Sequence, residues 1–130
     1  MSLSNAQVRA TVAVSDISKA VEFYEGALGL TPLGGDGMAD VRIYPCGSGS
    51  LLQVYASDHA GTTTATVASW SADDFESVVE ELRAKGVTFE TYGEPATDRD
   101  GVHTYGEHQV AWFKDPDGNT LAVDNGRVPS

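Results

Sequence analysis

Three histidines are the side chains of this 130-residue chain best suited to move protons near neutral pH. His103 and His108 lie five residues apart, a spacing that does not place two metal ligands on one face of a helix. They share the segment 93–108 with Tyr105, and a segment of that length inside a compact domain is often a lid or a rim. We therefore expect His103 and Tyr105 to contact a ligand. The residues alone leave open whether a histidine here acts as a general base or is an exposed polar side chain.

Sequence motifs of several other chemistries are missing. The chain has no Gly-rich phosphate loop, no Ser nucleophile elbow and no CxxC pair. The stretch DPDGN at 115–119 lacks the further ligands and the closing Glu of a calcium loop, so it predicts a turn. The single cysteine, Cys46, excludes an internal disulfide and suits a reducing cytoplasm.

The charge and hydropathy of the chain exclude two classes of partner. The formal net charge is −11 and the pI is about 4.4, so the phosphates of a nucleic acid would be repelled. Apolar runs stay far below the roughly 20 residues of a membrane span, and the start of the chain has no signal-peptide pattern. We expect a cytoplasmic protein that binds neither nucleic acid nor membranes.

Two stretches share one pattern of a strand followed by a helix. VRATVAVSD and ATVASWSAD both alternate apolar and polar residues, as half-buried strands do. Asp16 and Asp74 then stand where they would cap a helix, and apolar residues follow at helical spacing. Gly29 and Gly86 predict left-handed helix ends.

A hairpin closes each half of the chain. VRIYPCGSGSLLQVYA forms it in the first half and VAWFKDPDGNTLAVDN in the second. One more strand, Thr88–Tyr92, follows the second helix, and Thr31–Gly37 is its looser equivalent after the first. Each half thus has the order β-α-β-β-β. By their repeat positions, Trp70 and Trp112 are both predicted to lie in the core.

The repeat predicts how the domain is organised. Units this short cannot bury a sheet alone, so the two halves must pack together. We predict one domain over 1–130, built from a module at 6–56 and a module at 64–126. The segment 57–63 is the natural linker, and His59 within it is expected to be solvated.

The segments SDISKAVEFYEGALGL and FKDPDGN, set in this repeat, resemble the vicinal oxygen chelate superfamily. That group includes the glyoxalases, the bleomycin-resistance proteins and the extradiol dioxygenases, and the resemblance covers roughly Val8 to Val123. It implies an α+β fold in which both modules build one eight-stranded, curled mixed sheet. The helices would lie outside this cup and a ligand would lie within it.

The resemblance also implies four inward-pointing positions at which metal-dependent members of the family carry His, Gln or Glu. Here these positions hold Arg9, Gln53, Val67 and Ala122. Only Gln53 has an atom that could ligate a metal, because Arg9 is permanently cationic and the other two side chains have no donor. We therefore expect no metal and no other cofactor. Arg9 could instead pair with a ligand anion, pair with Gln53, or extend into solvent.

The leading hypothesis is a metal-independent binder of a small molecule, similar to the bleomycin-resistance branch and working as a homodimer. No catalytic residue is assigned, and the ligand is expected in the cup. The acidic surface favours a cationic ligand and Arg9 favours an anionic one, so ligand charge stays open. The residues expected to line the site are Arg9, Gln53, Tyr55, His103 and Tyr105.

Three alternatives remain at the sequence level. The first is a lyase or isomerase with Arg9 as electrophile and a His or Tyr of segment 93–108 as base. The second is a metal-dependent glyoxalase or dioxygenase, which would require His103, His108, Gln53 and Glu107 to converge. The third is a regulatory module whose cup is vestigial.

Overall fold

The computed structural model of the protein describes residues 3–34, 40–94 and 96–126. Within these ranges the helices are α1 (Ile17–Val21), which continues as a π-helical turn over Glu22–Ala27, and α2 (Phe75–Ala84). The strands are β1 (Arg9–Val14), β2 (Val41–Pro45), β3 (Leu51–Ala56), β4 (Thr66–Ser71), β5 (Val102–Tyr105), β6 (His108–Lys114) and β7 (Thr120–Asp124). None of the helices in these ranges is long and apolar enough to cross a membrane.

The strands form two mixed sheets, one from each half of the chain. The first has the order β1-β3-β2 and the second β4-β7-β6-β5. In each sheet the first strand of the half lies parallel to its last strand, and the other pairs are antiparallel. β1 contacts β4, so the sheets meet along the first strand of each half. The predicted α+β class is confirmed, with the strands divided between three-stranded and four-stranded sheets that do not close into a barrel.

Two segments of the second half differ from the sequence prediction. Thr88–Tyr92 is not a strand and contributes one isolated bridge to β6. The segment 93–108 is not a plain loop, because it contains β5, which pairs antiparallel with β6. Gly106 has φ +61, the left-handed conformation that a tight turn between these strands needs. In the first half, Thr31–Gly37 forms no strand up to residue 34, and the rest lies outside the described residues.

The predicted helix ends are confirmed at three of four positions. Oδ1 of Asp16 accepts a hydrogen bond from the backbone N–H of Ser18 at 2.8 Å, which caps α1. Gly29 and Gly86 have φ +73 and +93, as left-handed helix ends require. Asp74 precedes α2, but its side chain makes no capping bond. The start of α2 therefore depends on the burial of its apolar face.

One face of both sheets packs against the helices and forms the core. Tyr24 contributes to it from the turn after α1, and Phe75 from α2. Trp70 packs against this core and stacks on Phe113 with ring centroids 6.4 Å apart, which confirms its predicted position. The core residues of the four central strands are Val12, Val14, Leu52, Val54, Ala68, Leu121 and Val123.

The turn between β6 and β7 is tied to the first half of the chain by a buried carboxylate. Asp115 is 5% exposed, and its Oδ1 accepts from the backbone N–H groups of Asp117 and Asn119 at 3.0 and 2.9 Å. Its Oδ2 accepts from the Tyr24 hydroxyl and the Asn119 side-chain amide, each at 2.8 Å. The same amide donates to the carbonyl oxygen of Ala13 at 2.7 Å. The predicted turn is confirmed, and it also joins the two halves.

Two buried tyrosines should make the fold sensitive to alkaline pH. Burial and the Asp115 carboxylate raise the pKa of Tyr24, and burial with Glu25 raises the pKa of Tyr44. A phenol whose pKa is raised on folding stabilises the protein below its ordinary value of about 10, and this stabilisation is lost as pH rises above that value. We expect the free energy of unfolding to fall above about pH 10 in urea titrations.

Tyr24→Phe should reduce this alkaline decline, although it also removes the hydrogen bond to Asp115 and so lowers stability at neutral pH. Tyr105→Phe is the matched control, because that side chain is 68% exposed. It should leave the pH profile as it is in the unsubstituted protein. An unchanged decline in Tyr24→Phe would contradict the assignment.

Candidate functional site

The sheet surfaces opposite the helices form what we call the inner face. Side chains alternate along a strand, so the residues between core positions point to this face. All five residues predicted to line a ligand site belong to it, three on the first sheet and two on the second. The inner face includes Arg9, Thr11 and Ala13 of β1, Leu51, Gln53 and Tyr55 of β3, His103 and Tyr105 of β5, Val110 and Trp112 of β6, and Thr120 and Ala122 of β7.

Arg9 and Gln53 are joined on the first sheet. Nε of Arg9 donates to Oε1 of Gln53 at 2.9 Å, one of the pairings that the sequence left open. The Arg9 side chain is otherwise exposed, and within the described ranges it makes no ion pair. Its terminal nitrogens can therefore still contact an anion. Tyr55 is half-buried and lies in register between Ala13 and Val41.

The positions that the family resemblance marks for metal ligands do not fit a divalent cation. Gln53 supplies the one donor oxygen, and that oxygen already accepts the Arg9 hydrogen bond. Val67 is not on the inner face as predicted, because β4 has a bulge there and the side chain packs against the core. Ala122 has no donor atom. In residues 3–34, 40–94 and 96–126, no three His, Cys, Asp or Glu side chains converge as a metal site requires.

Trp112 lies on the inner face of the second sheet, so its predicted place in the core is wrong. Ala111 and Phe113, its neighbours in β6, occupy the core side and are at most 1% exposed, and strand alternation turns Trp112 the other way. Its Nε1 donates to Oγ1 of Thr66 at 3.2 Å. The ring of Tyr92 meets it edge-on with centroids 5.5 Å apart. These contacts hold a half-buried indole in one orientation.

His103 completes an aromatic cluster with Trp112 and Tyr92. Its ring is tilted 41° to the indole with centroids 6.2 Å apart. Nδ1 lies 2.6 Å from the carbonyl oxygen of Ala96, in the segment that leads to β5. His103 is half-buried and pairs in register with Val110. A residue predicted to lie in a loop is thus held on a strand beside the largest ring of the inner face.

The remaining polar candidates are more dispersed. Tyr105 ends β5 and is 68% exposed. His108 begins β6, Glu107 lies in the turn before it, and His59 is exposed in the turn between the two halves. His103, His108 and Glu107 do not form a metal-binding group. The convergence that a metal-dependent enzyme would require is therefore not present among these side chains.

Two residues of the site were not among those predicted to contact a ligand. Tyr92 was predicted only as the end of the strand Thr88–Tyr92, but its ring contacts Trp112, and burial and Glu90 raise the pKa of its phenol. Thr120 is 3% exposed, and its Oγ1 has no hydrogen-bond partner in the described part of the chain. The available signal for Thr120 was the alternation of β7, in which Leu121 and Val123 take the core side.

The amino-acid sequence matches one known protein family. The sequence model of the Glyoxalase/Bleomycin resistance protein/Dioxygenase superfamily matches residues 6–123. No curated protein is significantly similar to the chain in sequence.

Three solved structures are similar to the protein in fold. A glyoxalase/bleomycin resistance protein from Catenulispora acidiphila is 23% identical, with a TM-score of 0.66 over 95% of this chain and 98% of that one. Lactoylglutathione lyase from Agrobacterium tumefaciens is 17% identical, with a TM-score of 0.69 over 94% of each chain. TnmS3, an antibiotic binding protein from a Streptomyces species, is 20% identical, with a TM-score of 0.65 over 92% of this chain and 96% of that one.

Proposed function

Because the chain belongs to the glyoxalase/bleomycin resistance protein/dioxygenase superfamily, we propose that it binds a small organic molecule on the inner face without using a metal ion. One observation carries the proposal: the four positions at which metal-dependent members of the family carry ligands do not offer a free set of donor atoms here. The amide oxygen of Gln53 is engaged by Arg9 at 2.9 Å, and a bulge turns Val67 toward the core. One amide oxygen beside a guanidinium and two hydrocarbon side chains is not an adequate ligand set for a metal ion.

The ligand class follows from the aromatic cluster. Trp112 is fixed by its hydrogen bond to Thr66 and by the edge of Tyr92. A rigid, half-buried indole provides a large surface for stacking at a low cost in conformational entropy. We propose a planar aromatic ligand that stacks on Trp112. Its charge remains open, because the acidic surface and Arg9 favour opposite signs.

The fold of this chain occurs both in a binding protein, TnmS3, and in a lactoylglutathione lyase, so the choice of a binding role rests on the donor positions described above. TnmS3 is an antibiotic binding protein with the same fold, and its identity of 20% carries the comparison no further than architecture. We propose that the present chain also sequesters its ligand. Homodimerisation in the cytoplasm is part of this proposal, since metal-independent binders of this kind usually work as dimers whose cups meet, and sedimentation equilibrium would measure it.

Metal content and ligand response test the proposal together. Protein purified without chelator should carry less than about one-tenth of an equivalent of Zn, Ni, Mn or Fe by elemental analysis. A thermal-shift screen should then give increases with fused aromatic compounds and none with divalent metals, because a ligand of the native state stabilises it by mass action. One equivalent of tightly bound metal, or a response to metals alone, would overturn the proposal.

A further inference from the structure

We infer that His103 acts as a hydrogen-bond acceptor at the ligand site, so that the site selects aromatic ligands carrying a ring O–H or N–H donor. This inference rests on the proposed function and narrows its ligand class. It depends on two features of His103: the partner of its Nδ1 atom and its position beside Trp112.

The contact with Ala96 fixes the tautomer of the imidazole. A carbonyl oxygen can only accept, so the 2.6 Å contact between Nδ1 of His103 and the Ala96 oxygen requires a proton on Nδ1. A neutral imidazole carries one N–H, and the hydrogen bond made by one nitrogen decides the state of the other. Nε2 therefore presents a lone pair. No group in residues 3–34, 40–94 and 96–126 hydrogen-bonds to it.

The position of His103 brings its imidazole near the rim of a stacked ligand. The imidazole centroid is 6.2 Å from that of Trp112, and both side chains lie on the inner face. An aromatic ring placed on the indole thus has its edge within reach of His103. The side chain is half-buried, and a partly desolvated acceptor is costly to leave unpaired when a ligand covers it.

The acceptor at Nε2 should favour a ligand that carries a hydrogen-bond donor over its methylated analogue. A ligand with a ring hydroxyl or ring N–H donates to Nε2, whereas its O-methylated or N-methylated analogue cannot donate and also adds bulk at that point. We expect the donor form to bind at least about tenfold more tightly than the methylated form. Arg9 cannot supply this preference, because a guanidinium only donates hydrogen bonds.

The tautomer is measured first, in the protein without ligand. Long-range ¹H–¹⁵N correlation spectra of ¹⁵N-histidine-labelled protein at pH 8 distinguish Nδ1–H from Nε2–H imidazoles, and the His103→Gln spectrum assigns the signal. We expect His103 as the Nδ1–H form. A predominant Nε2–H form would overturn the inference whatever the ligand data show.

Selectivity is then measured with a matched pair of probes, 2-naphthol and 2-methoxynaphthalene, by titrating tryptophan fluorescence. The native protein should favour 2-naphthol at least about tenfold. His103→Phe keeps a ring beside Trp112 without an acceptor and should bind both probes alike. His103→Gln retains an acceptor oxygen and should keep part of the preference. His59→Phe, at the exposed turn between the halves, is the control and should keep all of it.

The outcomes separate the inference from the function on which it rests. Equal affinity of the native protein for both probes would contradict the role of His103, and so would an undiminished preference of His103→Phe for 2-naphthol. Either result would leave the proposed binding of aromatic ligands in place. Failure of both probes and of every other fused aromatic compound to bind the native protein would overturn the proposed function, and this inference with it.

Discussion

Asp115→Ala should lower the free energy of unfolding by about 3 kcal/mol or more, the largest effect on stability that we expect from a single substitution outside the apolar core. The carboxylate accepts four hydrogen bonds while 5% exposed. Its removal leaves the Tyr24 hydroxyl and two backbone N–H groups without their partner, and each buried unpaired group costs about 1–3 kcal/mol. Urea denaturation followed by circular dichroism measures the change.

Asp117→Ala provides the matched control in the same turn. Its carboxylate accepts from the backbone and hydroxyl groups of Ser15, but these bonds lie at the surface, where water replaces them. A loss of about 1 kcal/mol is expected. Equal losses in the two variants would show that burial of Asp115 does not set the strength of the connection.

Trp112→Leu should raise the Kd for an aromatic ligand at least about tenfold, because the ring on which the ligand stacks is removed. Calorimetric titration with 2-naphthol measures this loss. The effect on stability should be smaller than for a core tryptophan, since the indole is half-buried on the inner face.

The control is Trp70→Leu on the opposite side of the sheet. Trp70 is half-buried, packs against the core and stacks on Phe113, so its replacement should lower the free energy of unfolding by about 2 kcal/mol. The Kd of the folded protein should stay within about twofold of the native value. If binding depends on Trp70 and not on Trp112, the ligand lies on the helix side of the sheet and the proposed site is wrong.

Local chemistry made much of the fold predictable from sequence. Alternation assigned the core faces of β1, β3 and β7, and the Pro-Asp-Gly-Asn stretch identified the last hairpin. Asp16 capped a helix as predicted, because a carboxylate two residues before a free backbone N–H has an obvious partner. These signals depend on neighbouring residues, and so they can be read from the chain alone.

The residues whose positions were predicted wrongly are placed by long-range geometry or by a local irregularity of a strand. Val67 departs from the predicted pattern because one extra residue is accommodated at a β-bulge, which alternation cannot reveal. β5 was missed because the turn at Gly106 was read as part of a loop. Trp112 was assigned to the core because its repeat partner, Ile43, was taken for a core residue, whereas Ile43 lies opposite Gln53 and hence on the inner face.

Only part of the candidate site could be predicted from the sequence. Arg9 and Gln53 were named together because the family resemblance marks both positions as inward-pointing, and the two side chains do meet. His103 was named for its chemistry, but its partners Ala96 and Trp112 could not be inferred, since β5 was not recognised. Whether the five predicted lining residues contact a ligand stays a prediction for the experiments above.

The connection between Asp115 and Tyr24 spans 91 residues of chain, and this has a consequence for biosynthesis. During translation, Tyr24 is synthesised well before Asp115, whose carboxylate accepts the hydrogen bond of the Tyr24 hydroxyl. Until Asp115 is present, the Tyr24 hydroxyl must hydrogen-bond to water, and the helical turn that carries it cannot adopt its native packing. Native packing around Tyr24 therefore has to follow translation of the turn that carries Asp115, so the first half does not complete its core by itself.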